Sequence, residues 1–120
     1  MLRSIRLICP PALVLVVALV AAPAGSAATG CQKGKERKLG ATYVTKVTVK
    51  GTDCATGLKV VKAFHSCRKK SSTGKCKSAV MGYKCTENRP AAETIPTQYT
   101  GYVTCKSGDR RVVQEYQQNT

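Results

Sequence analysis

The sequence predicts a small α+β domain in which one amphipathic helix packs on a mostly antiparallel sheet, in the order βαβββ. Three observations predict this fold. Polar and apolar residues alternate just before residue 50, helical periodicity follows residue 53, and six cysteines lie beyond an N-terminal export signal. The chain has 120 residues, a length that allows one small domain and excludes a multidomain enzyme.

The first 28 residues have the layout of a secretory signal peptide. Arg3 and Arg6 form a positive n-region, residues 13–22 are an uninterrupted apolar run, and small residues in 23–28 form a cleavage zone. Flanking prolines restrict the apolar stretch to residues 12–22, whereas a membrane-spanning helix needs about 20 residues. We therefore expect cleavage after Ala27 or Ala28, export, and no transmembrane segment after processing.

The signal peptide also determines the cysteine count. Its removal takes away Cys9, and the even set that remains predicts three disulfides in an oxidising compartment. The six are Cys31, Cys54, Cys67, Cys76, Cys85 and Cys105. An alternative is a weak lipoprotein cleavage box at residues 28–31, which would leave Cys31 lipidated and one thiol unpaired.

The remaining chain is divided into a basic N-terminal segment, residues 29–40, and a single α+β domain, residues 41–120. Residues 41–50 alternate as a half-buried strand, with a basic face that carries Lys46 and Lys50. A turn over residues 51–53, with Thr52 and Asp53 as two N-cap candidates, leads into a helix over residues 54–69, in which we expect Gly57 to allow close approach to the sheet.

Three further strands complete the predicted fold. They cover residues 78–85, 98–106 and 111–116, and a tight turn at residues 107–109 joins the last two. Residues 86–97 contain two prolines and no periodicity, so they are expected as an irregular loop. The last four residues are expected to fray.

The element order limits the disulfide pairing. Cys54 and Cys67 lie at the two ends of the predicted helix, about 20 Å apart. Cys85 and Cys105 lie at opposite ends of the predicted second and third strands, so each end of the helix can meet one of them. We predict Cys54–Cys85, with the other four cysteines pairing among themselves at the carboxyl end of the helix.

The basic residues fall into three clusters that flank these cysteines, and the formal charge is +14. If the predicted pairing holds, the clusters converge on one positive end of the domain, which would attract polyanions. The candidate polyanion-binding residues are Lys33, Lys35, Arg37 and Lys38; Arg68, Lys69, Lys70, Lys75 and Lys77; and Arg110 and Arg111. The alternative is that these charges only solubilise the protein and favour the helix carboxyl terminus.

These features predict a secreted cationic module that binds an anionic extracellular or cell-envelope polymer, or an acidic protein surface. Specific nucleic-acid binding is not expected, because no aromatic residue interleaves with the basic clusters. Catalysis, metal ions and cofactors are not expected either: the single histidine, His65, lies on the apolar arc of the helix, and no catalytic motif is present. The alternative function is a small protease inhibitor that inserts the loop of residues 86–97. The sequence does not define the oligomeric state.

Three short motifs carry a resemblance. Residues 52–55 (TDCA) open the helix, residues 82–85 read GYKC, and residues 103–108 read VTCKSG. In this order they resemble a loose group of short secreted proteins of actinobacteria to which no activity is assigned. The resemblance implies the fold and export and carries no active residues across. Cys67 and Cys76 lie outside the shared pattern.

Overall fold

The computed structural model describes residues 27–32 and 34–120. The predicted signal peptide lies outside these residues apart from its last two positions. In the described chain one helix packs on one face of an antiparallel sheet, so the predicted α+β class is confirmed. The sheet comprises β1 (Thr29–Gly30), β2 (Tyr43–Lys50), β3 (Lys84–Asn88), β4 (Thr94–Ile95), β5 (Gln98–Ser107) and β6 (Arg110–Asn119).

The strand order is β1-β2-β6-β5-β3, and β4 pairs with β5. The chain therefore leaves β2 through the helix, crosses to the other edge at β3, and fills the centre with the β5–β6 hairpin. A two-residue turn joins this hairpin, with Gly108 at φ 58° as a glycine-first hairpin turn requires.

Helix α1 (Cys54–Lys70) begins where the sequence predicts. Asp53 is its N-cap, and the carboxylate accepts a hydrogen bond from the backbone N–H of Thr56 at 2.7 Å. Gly57 is buried against the sheet, so close that a Cβ at this position would overlap Cγ1 of Val49. The close approach expected of Gly57 is confirmed.

The core lies between the helix and the sheet. The helix contributes Val60, Val61 and Phe64, and β2 contributes Val44, Val47 and Val49 from its inner face. A bulge between Val44 and Lys46 keeps Val44 on that face. The other fully buried sheet positions include Val103, Cys105, Val112, Gln114 and Tyr116.

The predicted second strand is displaced along the chain. Residues 78–83 form a turn, closed by reciprocal backbone hydrogen bonds between Val80 and Tyr83 at 2.8–2.9 Å. Met81 and Gly82 both have positive φ, 50° and 77°, which fits a hairpin turn and ends any strand before Tyr83. The strand begins at Lys84, so Cys85 lies near its start and not at its end.

The disulfides are Cys31–Cys54, Cys67–Cys76 and Cys85–Cys105. All six predicted cysteines are paired, but the predicted bond Cys54–Cys85 is wrong. Because β3 starts at Lys84, Cys85 lies directly opposite Cys105 in the antiparallel register, with Cα atoms 4.0 Å apart.

Cys31 is also displaced from its expected position. β1 runs antiparallel to the last residues of β2, so Cys31 lies beside the amino end of the helix, where Cys54 is. The sulfur of Cys31 forms a disulfide with Cys54, so it does not carry the lipid of the lipoprotein alternative. Cys67 is left at the carboxyl end of the helix, and the nearest cysteine along the chain, Cys76, pairs with it.

The two terminal regions are more ordered than expected. Residues 29–40, expected as a separate segment, contribute β1 to the sheet and the buried Leu39 to the core. The expected fraying of residues 117–120 is wrong, because β6 pairs with β5 as far as Asn119 and the N–H of Thr120 donates to the carbonyl of Thr97 at 3.0 Å.

Candidate functional site

Two of the three basic clusters meet at the carboxyl end of α1. The Nζ of Lys69 lies 3.9 Å from the position that a Cβ on Gly40 would occupy, so the segment before β2 adjoins the end of the helix. Lys70, Lys75 and Lys77 surround a shallow depression of about 340 Å³ beside Cys67. Lys35 and Arg37 stand over the ring of Tyr43, at 5.3 and 4.9 Å from its centroid. Lys33 lies outside the described residues.

Arg68 is not a surface cation. It is 5% exposed and points into the protein, where Nε donates to Nδ1 of His65 at 3.1 Å. Its two terminal nitrogens donate to the hydroxyl of Tyr99 at 3.2 Å and to Oε1 of Gln118 at 3.0 Å. These contacts remove Arg68 from the predicted polyanion-binding set.

Arg110 and Arg111 do not join the other clusters. Arg111 pairs with Lys50, the last residue of β2, and the backbone of Asp109 approaches Gly51 just before the helix begins. Both arginines therefore lie at the amino end of α1, opposite the end where convergence was expected. The sequence prediction depended on the incorrect disulfide pairing, and the convergence of all three clusters is wrong.

The strand register assembles a different group of cations at this end. Lys50 on β2 lies opposite Arg111 on β6, Arg111 lies opposite Lys106 on β5, and Lys106 lies opposite Lys84 on β3. All four side chains are exposed. Directly opposed residues point to the same face of a sheet, so these four form one line across four neighbouring strands. We call Lys50, Arg111, Lys106 and Lys84 the cation row.

The cation row lies on the face of the sheet opposite the helix, which we call the open face. The next line of this face, the threonine row, consists of Thr48, Val113, Thr104 and Thr86. The line after it consists of Lys46, Glu115, Tyr102 and Asn88. Ala27 and Ala28 border the same face beside Thr48 and Val113, around a depression of about 340 Å³.

Little negative charge is available to neutralise the cation row. Within the described part of the chain the one ion pair joins Arg89 to Glu87 at 3.0 Å, on the helix side of the sheet. Asp109 borders a depression of about 250 Å³ that Lys50, Lys106 and Arg111 also line, but it lies within 4.0 Å of no cationic nitrogen among the described residues. The row therefore presents four positive charges to solvent.

A buried polar network lies between the helix and the other face of the sheet. His65 is fully buried, and its Nε2 lies 2.7 Å from Oε1 of Gln114. Because an arginine can only donate, Nδ1 of His65 accepts from Arg68, and Nε2 therefore carries the proton and donates to Gln114. Burial, reinforced by the charge of Arg68, lowers the pKa of His65 to about 3. The histidine is neutral and fully used in packing.

The network continues to Tyr116. Its hydroxyl donates to a carboxylate oxygen of Glu87, and its ring lies under the guanidinium of Arg68, 5.1 Å from the ring centroid. Burial, followed by the hydrogen bond to Glu87, raises the pKa of Tyr116. Arg89 pairs with Glu87 and donates to the carbonyl of Gly74 at 2.7 Å. These bonds tie β3, β6 and the loop after the helix together. No sequence pattern indicates this network, since its members are scattered along the chain.

The segment proposed as an inhibitory loop is folded back on the sheet. β3 extends to Asn88, residues 91–93 form a 3-10 turn, and β4 pairs with β5. Ile95 is 57% exposed at the tip. The adjoining residues are tied to the chain terminus, because the hydroxyl of Thr120 donates to the carbonyl of Pro96 at 2.8 Å.

No protein-family model, curated protein or solved structure matches the chain. Among residues 27–32 and 34–120, no helix is long and apolar enough to cross a membrane.

Proposed function

We propose that this protein is a secreted binding module for an anionic extracellular or cell-envelope polymer, and that it acts by binding and not by catalysis. One observation carries the proposal. The positive charges of the described chain lie on its surface almost entirely without acidic partners, because the one ion pair among the described residues joins Arg89 to Glu87.

A surface of this kind attracts polyanions in two ways. Its long-range field raises the local concentration of negatively charged molecules, and each contact with a polymer charge releases a condensed counterion. Both effects weaken as the salt concentration rises. A protein that needed its charge only for solubility would show the field but no retention on a polyanion at physiological salt.

The test compares three resins in a salt gradient. Polyglycerol phosphate and heparin present anions along a flexible chain, whereas sulfopropyl groups at a matched charge density present isolated anions. We expect elution from at least one polymer well above 0.15 M salt and later than elution from sulfopropyl groups. Elution from all three resins below 0.15 M salt would leave solubility as the role of the charge and contradict the proposal.

The alternative of a protease inhibitor has less support. An inhibitor needs an extended loop that fits a protease cleft, whereas residues 94–95 pair with β5 and the tip is bonded to Thr120. No observation in the described chain favours this alternative, so we propose polymer binding alone.

A further inference from the structure

We propose that the open face of the sheet is the binding site, and that its ligand is a linear, hydroxyl-rich anionic polymer lying across the strands. The anionic groups of the polymer would contact the cation row, and its hydroxyls would contact the threonine row beside it. This inference rests on the proposed function and adds to it a location, an orientation and a ligand class.

The geometry of the cation row fits a linear polymer. Neighbouring strands lie about 4.8 Å apart, so the four residues extend over about 14 Å in a straight line. Lysine and arginine side chains are long enough to adjust this spacing to successive charges of a polymer. The other basic region combines Lys70 at the end of the helix with Lys75 and Lys77 in the loop that follows, and no strand register aligns these three.

The electrostatic repulsion within the cation row also favours an anionic ligand. Like charges directly opposite each other on neighbouring strands destabilise a sheet, and here three successive pairs are alike: Lys50 with Arg111, Arg111 with Lys106, and Lys106 with Lys84. A row that served solubility alone could have included acids, as the line four residues further on does, where Lys46 lies opposite Glu115. An anionic ligand removes the repulsion on binding, which gives the arrangement a use.

The residues next to the cation row indicate the ligand class. Three hydroxyl groups follow it in register, on Thr48, Thr104 and Thr86, and these can bond polyol or sugar hydroxyls. The hydroxyl of Thr86 donates to the carbonyl of Thr104 at 3.5 Å, so it serves a ligand as an acceptor. Aromatic side chains, on which bases would stack, are absent from both described rows. The tyrosines of the open face lie further away: Tyr102 donates to Glu93 at 2.9 Å, and the ring of Tyr43 is covered by two cations.

The test uses three double variants that each remove two charges. The row variant is Lys84→Gln with Lys106→Gln, the helix-end variant is Lys69→Gln with Lys70→Gln, and the control is Lys59→Gln with Lys62→Gln on the exposed side of the helix. The probes are soluble polyglycerol phosphate, heparin and single-stranded DNA of equal charge number. The two hydroxylated polymers distinguish a phosphodiester from a sulfate source of the anionic group. Binding is measured by titration between 0.05 and 0.3 M salt, and circular dichroism checks that each variant is folded.

Each contact with a single-stranded polyanion adds about 0.7 to the slope of log K against log salt. The loss of two contacts therefore lowers log K by about 1.4 at 0.1 M salt relative to 1 M salt. We expect the row variant alone to lose affinity at 0.1 M salt, on the order of 30-fold. An equal loss in all three variants would mean that net charge alone governs binding, which overturns this site while leaving the proposed function intact. A selective loss in the helix-end variant would also overturn it. Tighter binding of DNA than of either hydroxylated polymer would overturn the ligand class. If no polymer binds to the parent protein at 0.15 M salt, the proposed function itself fails.

Discussion

Arg68 donates its Nε–H to Nδ1 of His65 at 3.1 Å, and both side chains are buried beneath the sheet. This bond fixes the histidine as the neutral tautomer whose Nε2 donates to Gln114. Protonation at Nδ1 would break the bond and place two positive charges side by side in the core. Acid sensitivity of the fold is the direct consequence.

The first prediction concerns the pH dependence of stability. The pKa of His65 is about 3 in the folded protein, against an ordinary value near 6.5 in the unfolded chain. Between these values the unfolded chain binds the additional proton, so the free energy of unfolding falls as the pH is lowered from 6.5 towards 3. His65 contributes at most about 1.4 kcal/mol per pH unit to this slope.

Two measurements check the prediction. Because the sequence has a single histidine, its imidazole NMR signals are unambiguous, and we expect no titration between pH 7 and 4 while the protein is folded. Urea unfolding of the parent and of His65→Gln, over the same pH range, should give a steeper pH dependence for the parent. A midpoint near pH 6 in the NMR titration would show that the histidine is accessible and contradict the buried network.

The second prediction separates Arg68 from its basic neighbours. Arg68→Ala leaves Tyr99, Gln118 and His65 without a hydrogen-bond donor in a buried site, so we expect a loss of about 3 kcal/mol in the free energy of unfolding. The exposed neighbour serves as the control: Lys69→Ala should change stability by less than about 0.5 kcal/mol. Urea unfolding at pH 7 measures both. Similar small losses for the two variants would show that Arg68 lies on the surface.

The third prediction is the disulfide map. Trypsin separates Cys31, Cys54, Cys67 and Cys76 into different peptides but leaves Cys85 and Cys105 in one, because Pro90 follows Arg89. Additional cleavage after Glu87 and Glu93 separates the last two. Mass spectrometry without reduction should then find Cys31 linked to Cys54, Cys67 to Cys76, and Cys85 to Cys105, and reduction should release all three. A peptide that links Cys54 to Cys85 would contradict the β3–β5 register.

The sequence predicted the fold where local signals determine it. The alternation before Lys50, the cap at Asp53 and the glycine at position 108 each act within a few residues. The end of β2, the start of α1 and the turn between β5 and β6 lie where these signals predict them. β3 starts later than the sequence predicts because Met81 adopts a positive φ, which is uncommon for a side chain of that kind. That displacement moved Cys85 to the wrong end of its strand and caused the error in the pairing.

The cation row could not be predicted from the sequence. The row's members, Lys50, Lys84, Lys106 and Arg111, extend over 61 positions of the sequence, and only the order β2-β6-β5-β3 and its register bring them into line. Arg68 shows the opposite limitation. It lies in a run with Lys69 and Lys70 that looks uniformly exposed, and its burial depends on acceptors from β5 and β6.

The fourth prediction tests the close packing of helix and sheet. Alanine is normally favoured over glycine within a helix by about 1 kcal/mol, but a Cβ at Gly57 overlaps Val49, so we expect Gly57→Ala to destabilise the protein by about 1–3 kcal/mol. Val49→Ala removes the obstructing methyl groups. The double variant should therefore be more stable than the sum of the two single losses predicts, which urea unfolding measures. Strict additivity would show that the helix and β2 do not meet at this point.

The fifth prediction concerns the repulsion within the cation row. Lys106 lies between Arg111 and Lys84, so Lys106→Glu converts two repulsive cross-strand pairs into attractive ones. We expect this exposed change to stabilise the protein by about 0.5–1 kcal/mol at low salt, and the gain to shrink as salt screens the charges. Lys46→Glu alters the net charge equally but places a carboxylate opposite Glu115, so it should destabilise. Thermal unfolding at 0.02 and 0.5 M salt compares the two variants. Equal shifts would mean that only net charge matters. If Lys106→Glu is more stable but no longer binds anionic polymers, the parent protein gives up stability at this row in favour of binding.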